Sequence, residues 1–150
     1  MSMTRSQMIL RMPVENVNAV VVLHDGERSE VMLFIAGGED VTRVVAEGKP
    51  FVPMVRGGRV CLIARAAIAC LVVPSRLAGL SDPELPTVQQ KASIKLRSGV
   101  VVEGLLEWVN ETGRRRTTDY LNTETPYLIV RAGDTTHFVV KAHIAVVTEI

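Results

Sequence analysis

The stretch of sequence that decides the fold is residues 92–109, ASIKLRSGVVVEGLLEWV. Its start places Ala92, Ile94 and Leu96 at alternate positions, which puts all three side chains on one face of a β-strand. The Ser-Gly pair at 98–99 supplies a tight turn, because glycine adopts the positive φ that hairpin turns need. The Val-rich run that follows predicts the returning strand, since β-branched residues fit a pleated sheet. This part of the chain is therefore predicted to be a β-hairpin.

The same pattern stands earlier in the chain. Residues 19–26, AVVVLHDG, match residues 92–99 at a distance of 73 positions, and both end on a turn glycine. Residues 50–68 match residues 126–144 at a distance of 76 positions, so that proline falls on proline and isoleucine on isoleucine. The change from 73 to 76 corresponds to three inserted residues in the middle loop of the second copy. The sequence therefore predicts a tandem duplication of one module of about 60 residues.

Each copy contains five short apolar runs separated by turn residues. The predicted strands are residues 19–23, 31–36, 50–55, 59–64 and 68–73 in the first copy and 92–96, 100–109, 127–130, 136–140 and 144–147 in the second. Short strands joined by tight turns are typical of small barrels, whose closure removes exposed strand edges. We therefore expect an all-β fold of two small five-stranded barrels packed together.

Composition shifts along the chain predict its division into domains. Residues 1–17 mix Met with polar residues and are expected to form an N-terminal leader. Residues 18–74 would form the first barrel and residues 91–150 the second. Between them, residues 75–90 contain SDPELP, a proline-rich composition that is typical of a linker.

Composition and charge exclude several classes of protein. The 150 residues carry a net charge of +1, which excludes a strongly basic chain made for non-specific nucleic-acid binding and leaves a local basic patch open. The longest apolar run, residues 66–73, is far shorter than the ~18 residues of a membrane-spanning helix. Residues 1–12 lack the continuous apolar stretch of a signal peptide. We expect no membrane association and a cytoplasmic location.

Residues that could support catalysis or metal binding are scattered. Cys61 and Cys70 lie in strand-like runs with no CxxC motif, so they are predicted to be buried free thiols. His24, His137 and His143 fall in different elements and lack metal-ligand spacing. There is no Gly-x-Ser-x-Gly motif and no phosphate-binding loop. We predict that the protein is not an enzyme and has no cofactor and no metal.

Two motifs of the second copy resemble those of the Sm-like family. The first is Gly104-x-Leu106, followed by Val109-Asn110 and later by Asp119-Tyr120-Leu121-Asn122. The second is residues 138–144, FVVKAHI, which is similar to the Lys- and His-containing stretch of the bacterial Hfq-type members. The resemblance implies a five-stranded SH3-like barrel, and many Sm-like proteins assemble into rings that bind RNA. The pattern also resembles uncharacterised bacterial proteins, and that likeness implies no function.

The resemblance also implies a set of contacts in the second copy. The family's RNA pocket stacks a base on a loop side chain, hydrogen-bonds it with Asn and uses a basic residue at the junction of two strands. An arginine run at a loop tip could also grip phosphates. The candidate nucleic-acid or partner contacts are Arg114, Arg115, Arg116, Asp119, Tyr120, Asn122 and Lys141. The structural alternative is a solvated loop tip for the arginines, a self-bonded turn for Asp119 to Asn122, and a barrel rim for Lys141.

Three hypotheses for the function follow. The leading one is a non-enzymatic binding or scaffold module that meets a protein partner, with addition of a strand at a sheet edge as one mode of contact. The alternative is an RNA-binding Sm-like protein that uses the second copy. A third is a small enzyme with a pocket between the copies. The resemblance further implies pairing between edges of fourth and fifth strands, either within this chain or between chains of a homo-oligomer.

Overall fold

The computed structural model describes residues 14–36, 40–46, 48–80, 83–111, 113 and 115–150. The strands of the first half are β1 Val14–Leu23, β2 Arg28–Ala36, β3 Phe51–Arg56, β4 Arg59–Ala64 and β5 Ile68–Pro74. Those of the second half are β6 Thr87–Leu96, β7 Val101–Val109, β8 Tyr127–Ala132, β9 Thr135–Val140 and β10 Ile144–Glu149. The described part also contains one short helix, α1 Thr117–Leu121, and four 3-10 turns, at Val41–Val44, Arg65–Ala67, Ser75–Leu77 and Lys141–His143. The all-β class is confirmed, and each predicted strand is present.

All ten strands belong to one antiparallel sheet, in the order β10-β6-β7-β8-β9-β5-β1-β2-β3-β4. The sheet does not close, so the predicted pair of closed five-stranded barrels is not confirmed. The physical reason lies at the centre of the sheet: β5 pairs with β1 on one side and with β9 of the other half on its second side. That second edge is therefore not available to a strand of its own half. We call the β5–β9 pairing the junction.

The two halves have the same strand order and the same turn geometry. Within the sheet, the orders β5-β1-β2-β3-β4 and β10-β6-β7-β8-β9 correspond strand for strand. Backbone hydrogen bonds recur at matching positions: Leu23 N–H to Glu27 O and Leu96 N–H to Val100 O are both 2.8 Å, and the bonds from Arg65 N–H to Pro50 O and from Lys141 N–H to Pro126 O are 2.7 and 2.9 Å. The repeated sequence pattern thus corresponds to a repeated backbone geometry.

Two apolar clusters form the core, and they interlock at the junction. One cluster is built mainly by the first half and the other mainly by the second. Phe138 of β9 is fully buried in the first cluster, whereas Cys70 and Val72 of β5 are buried in the second. Burying one such side chain contributes about 1.5–3 kcal/mol. The halves therefore share their cores rather than meeting at a surface.

Both halves begin earlier than the sequence predicts. β1 starts at Val14, inside the predicted leader, and β6 starts at Thr87, inside the predicted linker. These extensions pair with the far ends of β2 and β7, where Val14 lies opposite Ala36 and Thr87 opposite Val109. Their polar residues weaken the apolar pattern that marks a strand, which is why the pattern misses them. The rest of the predicted leader, residues 1–13, lies outside the described residues.

Candidate protein-binding edges

The predicted contact residues of the second half cluster around α1. Arg115 and Arg116 are exposed just before the helix, whereas Arg114 lies outside the described residues. Asp119 caps the helix: its carboxylate Oδ2 accepts a hydrogen bond of 3.1 Å from Arg116 N–H. Asn122 follows the last residue of α1. The loop that the sequence analysis expected here is thus a short capped helix, and Asp119 has a structural role in it.

Tyr120 stacks on Trp108 of β7. The two ring centroids are 5.0 Å apart and the planes differ by 7°. Tyr120 packs against the second cluster, and burial raises the pKa of its hydroxyl group. One face of the tyrosine ring is therefore covered by the indole. The stacking role towards a nucleic-acid base stays a prediction, and the packing of Tyr120 against Trp108 and the second cluster is observed.

Lys141 is engaged with the loop that follows α1. Its Nζ donates to the main-chain oxygen of Thr123 at 2.7 Å and lies 3.2 Å from the hydroxyl of the same residue. Desolvation lowers the pKa of the Lys141 ammonium group. The structure thus brings Lys141 next to the loop that carries Asn122, as a tie between the end of β9 and that loop.

Arg65 holds the matching position in the first half and makes the same kind of tie. Its Nε donates to the main-chain oxygen of Lys49 at 2.9 Å, and its guanidinium donates to those of Arg43 and Val44. Burial first, and the charge of Arg43 second, lower the pKa of Arg65. A basic residue after the fourth strand therefore anchors the middle loop in each half. This shared role is a structural explanation for the basic residue that the motif contains.

A groove of about 640 Å³ runs beside α1. Asp119 and Glu124 contribute carboxylates to its lining, together with Gly113, Asn122 and two threonines. Carboxylates repel phosphate, so this lining does not favour a nucleic-acid backbone. The exposed Arg115 and Arg116 lie next to the groove in sequence, and their role as phosphate contacts stays a prediction.

A second cleft, of about 550 Å³, lies in the first half and reaches the junction. Valines form much of its lining, and Glu30 is the one ionisable side chain among the lining residues. Thr135 of β9 adds a hydroxyl from the second half. A single carboxyl group provides no acid and base pair in this cleft. The described residues also contain no group of three or more His, Cys, Asp or Glu side chains placed to hold a metal ion.

Sequence reasoning proposed strand addition at a sheet edge, but it missed which two strands end the sheet. β4 and β10 end the sheet, and within the described ranges no strand pairs with their outer sides, which we call the outer edges. β4 carries Val60 and Leu62, which are 65% and 66% exposed, and β10 carries Val146, which is 51% exposed. Unpaired backbone groups beside exposed apolar side chains form a template for a further strand. No local pattern could reveal it, because β4 and β10 have the same apolar composition as buried strands.

Comparison of the chain with family models, with curated proteins and with solved structures gave no match. The described part of the chain also contains no helix with the length and apolar character needed to cross a membrane. The geometry of the sheet is therefore the observation from which a function can be argued.

Proposed function

We propose that this protein is a non-enzymatic binding module that takes up an extended strand of a protein partner at its outer edges. The observation that carries the proposal is the exposure of Val60 and Leu62 on β4 and of Val146 on β10, in strands whose outer backbone groups pair with no described residue. Natural sheets usually protect such edges with charged residues, proline or a covering element. An edge that stays apolar and open fits strand addition.

Strand addition supplies both affinity and specificity. Each main-chain hydrogen bond contributes about 0.5–1.5 kcal/mol, so a strand of five or six residues gains several kcal/mol from backbone pairing. Alternate side chains of the added strand then point to one face, where they meet the exposed valines and leucine. The net charge of +1 suits a protein partner better than a polyanion.

We infer that the chain is a tandem duplication of an SH3-like, Sm-like module and that it acts in the bacterial cytoplasm. The matching strand orders and the recurring turn hydrogen bonds support the duplication. The pairing of a fourth strand, β9, with a fifth strand, β5, supports the likeness to Sm-like proteins.

The test is selection of random linear peptides displayed on phage, followed by synthesis of the best binder. Expected binders have alternating apolar residues. N-methylation of alternate amides, which removes main-chain donors and keeps the side chains, should weaken binding at least roughly tenfold, since 1.4 kcal/mol corresponds to that factor. The variant Leu62→Lys with Val146→Lys should lose binding, whereas Val101→Lys, at an exposed valine of β7, should keep it. Binders that tolerate N-methylation and the double variant would contradict the proposal.

A further inference from the structure

We propose that β4 selects a partner strand of defined chemistry, with apolar residues at alternate positions in its middle and an acidic residue at each end. This specificity rests on the proposed function, since it names the kind of protein strand that the β4 edge takes up. Three features of β4 and its neighbour β3 carry it: an apolar row in the middle, a small residue beside an exposed aromatic ring, and basic residues at both ends.

The middle of β4 presents apolar side chains on one face of the sheet. Val60 and Leu62 are 65% and 66% exposed, and they lie opposite Val55 and Pro53 of β3. Directly opposite residues share a face, so this face of the strand pair is apolar on both strands. An added strand covers these side chains with every second residue of its own. Burial of the exposed surface therefore favours a partner whose alternate residues are apolar.

The far end of β4 has room for a large side chain. Ala64 is the smallest residue of the row, and it lies opposite Phe51, which is 58% exposed. Aromatic side chains reach beyond their direct neighbours on a sheet face. A large apolar residue placed opposite Ala64 can therefore lean over that small side chain and pack on the ring of Phe51.

The start of β4 carries an uncompensated positive charge. Arg59 lies directly opposite Arg56, and like charges in this arrangement destabilise a strand pair. Arg56 has a counter-charge in Glu27, whose carboxylate lies 3.7 Å from the guanidinium. Arg59 is exposed and has no ion-pair partner among the residues that the structure describes. A carboxylate opposite Arg59 on the added strand would supply the missing counter-charge.

The other end of β4 is basic as well. A cleft of about 330 Å³ opens there, and Phe34, Phe51 and Pro53 form the apolar part of its lining on the outer face. Four ionisable side chains line the same cleft, three of them basic and one acidic: Arg43, Lys49, Arg65 and Asp40. The lining therefore has a net positive charge, which attracts a carboxylate at this end of the added strand.

The direction of the added strand decides the order of these features. The pairings on both sides of β3 are antiparallel, and a strand that continues this pattern meets the Ala64 end of β4 first and the Arg59 end last. The partner then reads, from its N-terminus: acidic, large apolar, any residue, apolar, any residue, β-branched, acidic. Its apolar positions face Ala64, Leu62 and Val60 in turn. β10 carries no basic residue and ends at Glu149, so this selection belongs to β4.

The experiment uses the full-length chain and the end-capped peptide Glu-Phe-Thr-Val-Thr-Val-Glu, with binding measured by fluorescence anisotropy. The charge-swapped peptide Lys-Phe-Thr-Val-Thr-Val-Lys should bind at least roughly tenfold more weakly at low salt, and the difference should shrink as salt screens the charges. Leu62→Lys should lose binding of the acidic peptide, whereas Val146→Lys, at the β10 edge, should keep it. Equal affinity of the two peptides would overturn the acidic preference.

Arg59→Glu tests the contact at the start of β4. This variant should bind the acidic peptide roughly fivefold more weakly and should bind a peptide that ends in Lys more tightly by a similar factor. Lys91→Glu, at an exposed lysine of β6, is the matched control with the same change in net charge. It should keep the ratio of affinities that wild type has for the two peptides. Equal effects of the two variants would contradict the contact with Arg59.

Phe51→Ala tests the packing of the large apolar residue. Replacing the Phe of the peptide by Ser should weaken binding to wild type roughly tenfold, and binding to the variant by only about twofold, since the ring that it packs on is gone. Phe51 is mostly exposed, so the variant should unfold like wild type in urea. The same loss in both proteins would contradict packing on Phe51.

The outcomes separate this specificity from the proposed function. If both charged peptides bind equally and N-methylation still weakens them, strand addition stands and the acidic partner is wrong. The acidic partner is also wrong if a single-stranded RNA displaces the peptide, or if wild type is oligomeric and binds no acidic peptide because a second copy occupies β4. If no peptide of any composition binds a monomeric protein, both proposals fail.

Discussion

Phe138 and Leu62 hold matching positions on the fourth strands of the two halves, yet Phe138 is fully buried and Leu62 is largely exposed. The surroundings of the two residues differ: Phe138 packs in the first cluster and its strand has β5 beside it, whereas no described strand lies beside the outer edge of β4. The comparison shows that the first half buries one face of its fourth strand and leaves the other open: Ile63 is 7% exposed, whereas Leu62 is 66% exposed.

The largest expected difference between junction and outer edge concerns the two thiols. Burial raises the pKa of Cys70 to about 12, and the side chain has no exposed surface. Cys61 on β4 is partly exposed. Iodoacetamide should alkylate Cys61 readily and Cys70 at least roughly a thousandfold more slowly, because Cys70 reacts only after opening of a fold stabilised by about 5–15 kcal/mol. Mass spectrometry of tryptic peptides measures both rates, and equal rates would contradict the interlocked core.

Truncation of Phe138 and truncation of Leu62 should lower the free energy of unfolding by amounts that differ by several kcal/mol. Phe138→Ala leaves a cavity in the first cluster and should lower the free energy of unfolding by about 3–5 kcal/mol. Leu62→Ala removes an exposed side chain and should change the free energy of unfolding by about 0.5 kcal/mol or less. Urea unfolding of the two variants provides the comparison. A similar loss in both would mean that the outer edge of β4 is covered in solution.

Removing the hydrogen bonds that Lys141 and Arg65 donate to the middle loops should have an intermediate effect on the free energy of unfolding. Lys141→Met keeps the length of the side chain but removes the donor to the main-chain oxygen of Thr123. We expect a loss of about 1–3 kcal/mol in the free energy of unfolding, since the carbonyl is left without its partner. Arg65→Met should have a loss of the same order, because Arg65 binds three main-chain oxygens of the first half. If a variant keeps the free energy of unfolding of wild type but no longer binds the selected peptide, the basic residue has a binding role rather than a structural one.

Acid should weaken the junction. Burial first, and the charge of Arg28 second, lower the pKa of His137, whose Nδ1 is buried and has no hydrogen-bond partner among the residues that the structure describes. A histidine with a depressed pKa in the folded state stabilises the fold above its ordinary pKa of 6.5, and this contribution is lost as the pH falls through 6.5 towards the depressed value. The free energy of unfolding should therefore fall by at most about 1.4 kcal/mol per pH unit over this range.

His137→Gln should reduce the dependence of the free energy of unfolding on pH, as measured by urea titrations between neutral and acidic pH. His24→Gln, in an exposed turn, should keep it. If both variants retain the slope of wild type, the acid sensitivity originates elsewhere than at the junction.

The smallest expected effect concerns the exposed arginines. Arg115→Glu with Arg116→Glu should change the free energy of unfolding by about 0.5 kcal/mol or less, because both side chains are exposed. The same variant tests the RNA-binding alternative. Wild type should show little affinity for a single-stranded RNA probe at any salt concentration. Tight binding of the RNA probe that falls steeply with salt and disappears in the variant would favour RNA binding by the second half over strand addition.

The strands could be predicted to a large extent, since alternation and Val-rich runs mark β-structure locally. The early starts of β1 and β6 were missed, because Glu15, Asn16 and Gln90 interrupt the apolar pattern although their backbone pairs with β2 and β7. The site was predicted less well. The motif residues Asp119, Tyr120 and Lys141 are engaged in a cap, a ring stack and a loop tie, and the outer edges carry no motif.

The sequence by itself determined the all-β class, the positions of the turns and the correspondence between the two halves. These properties depend on neighbouring residues, through side-chain alternation and the positive φ of turn glycines such as Gly26 and Gly99. Only the tertiary structure decided that β5 pairs with β9, that the sheet stays open and that Leu62 is exposed where Phe138 is buried. Such facts depend on which distant strand supplies the next row of hydrogen bonds, and two strands of the same composition can differ completely in that respect.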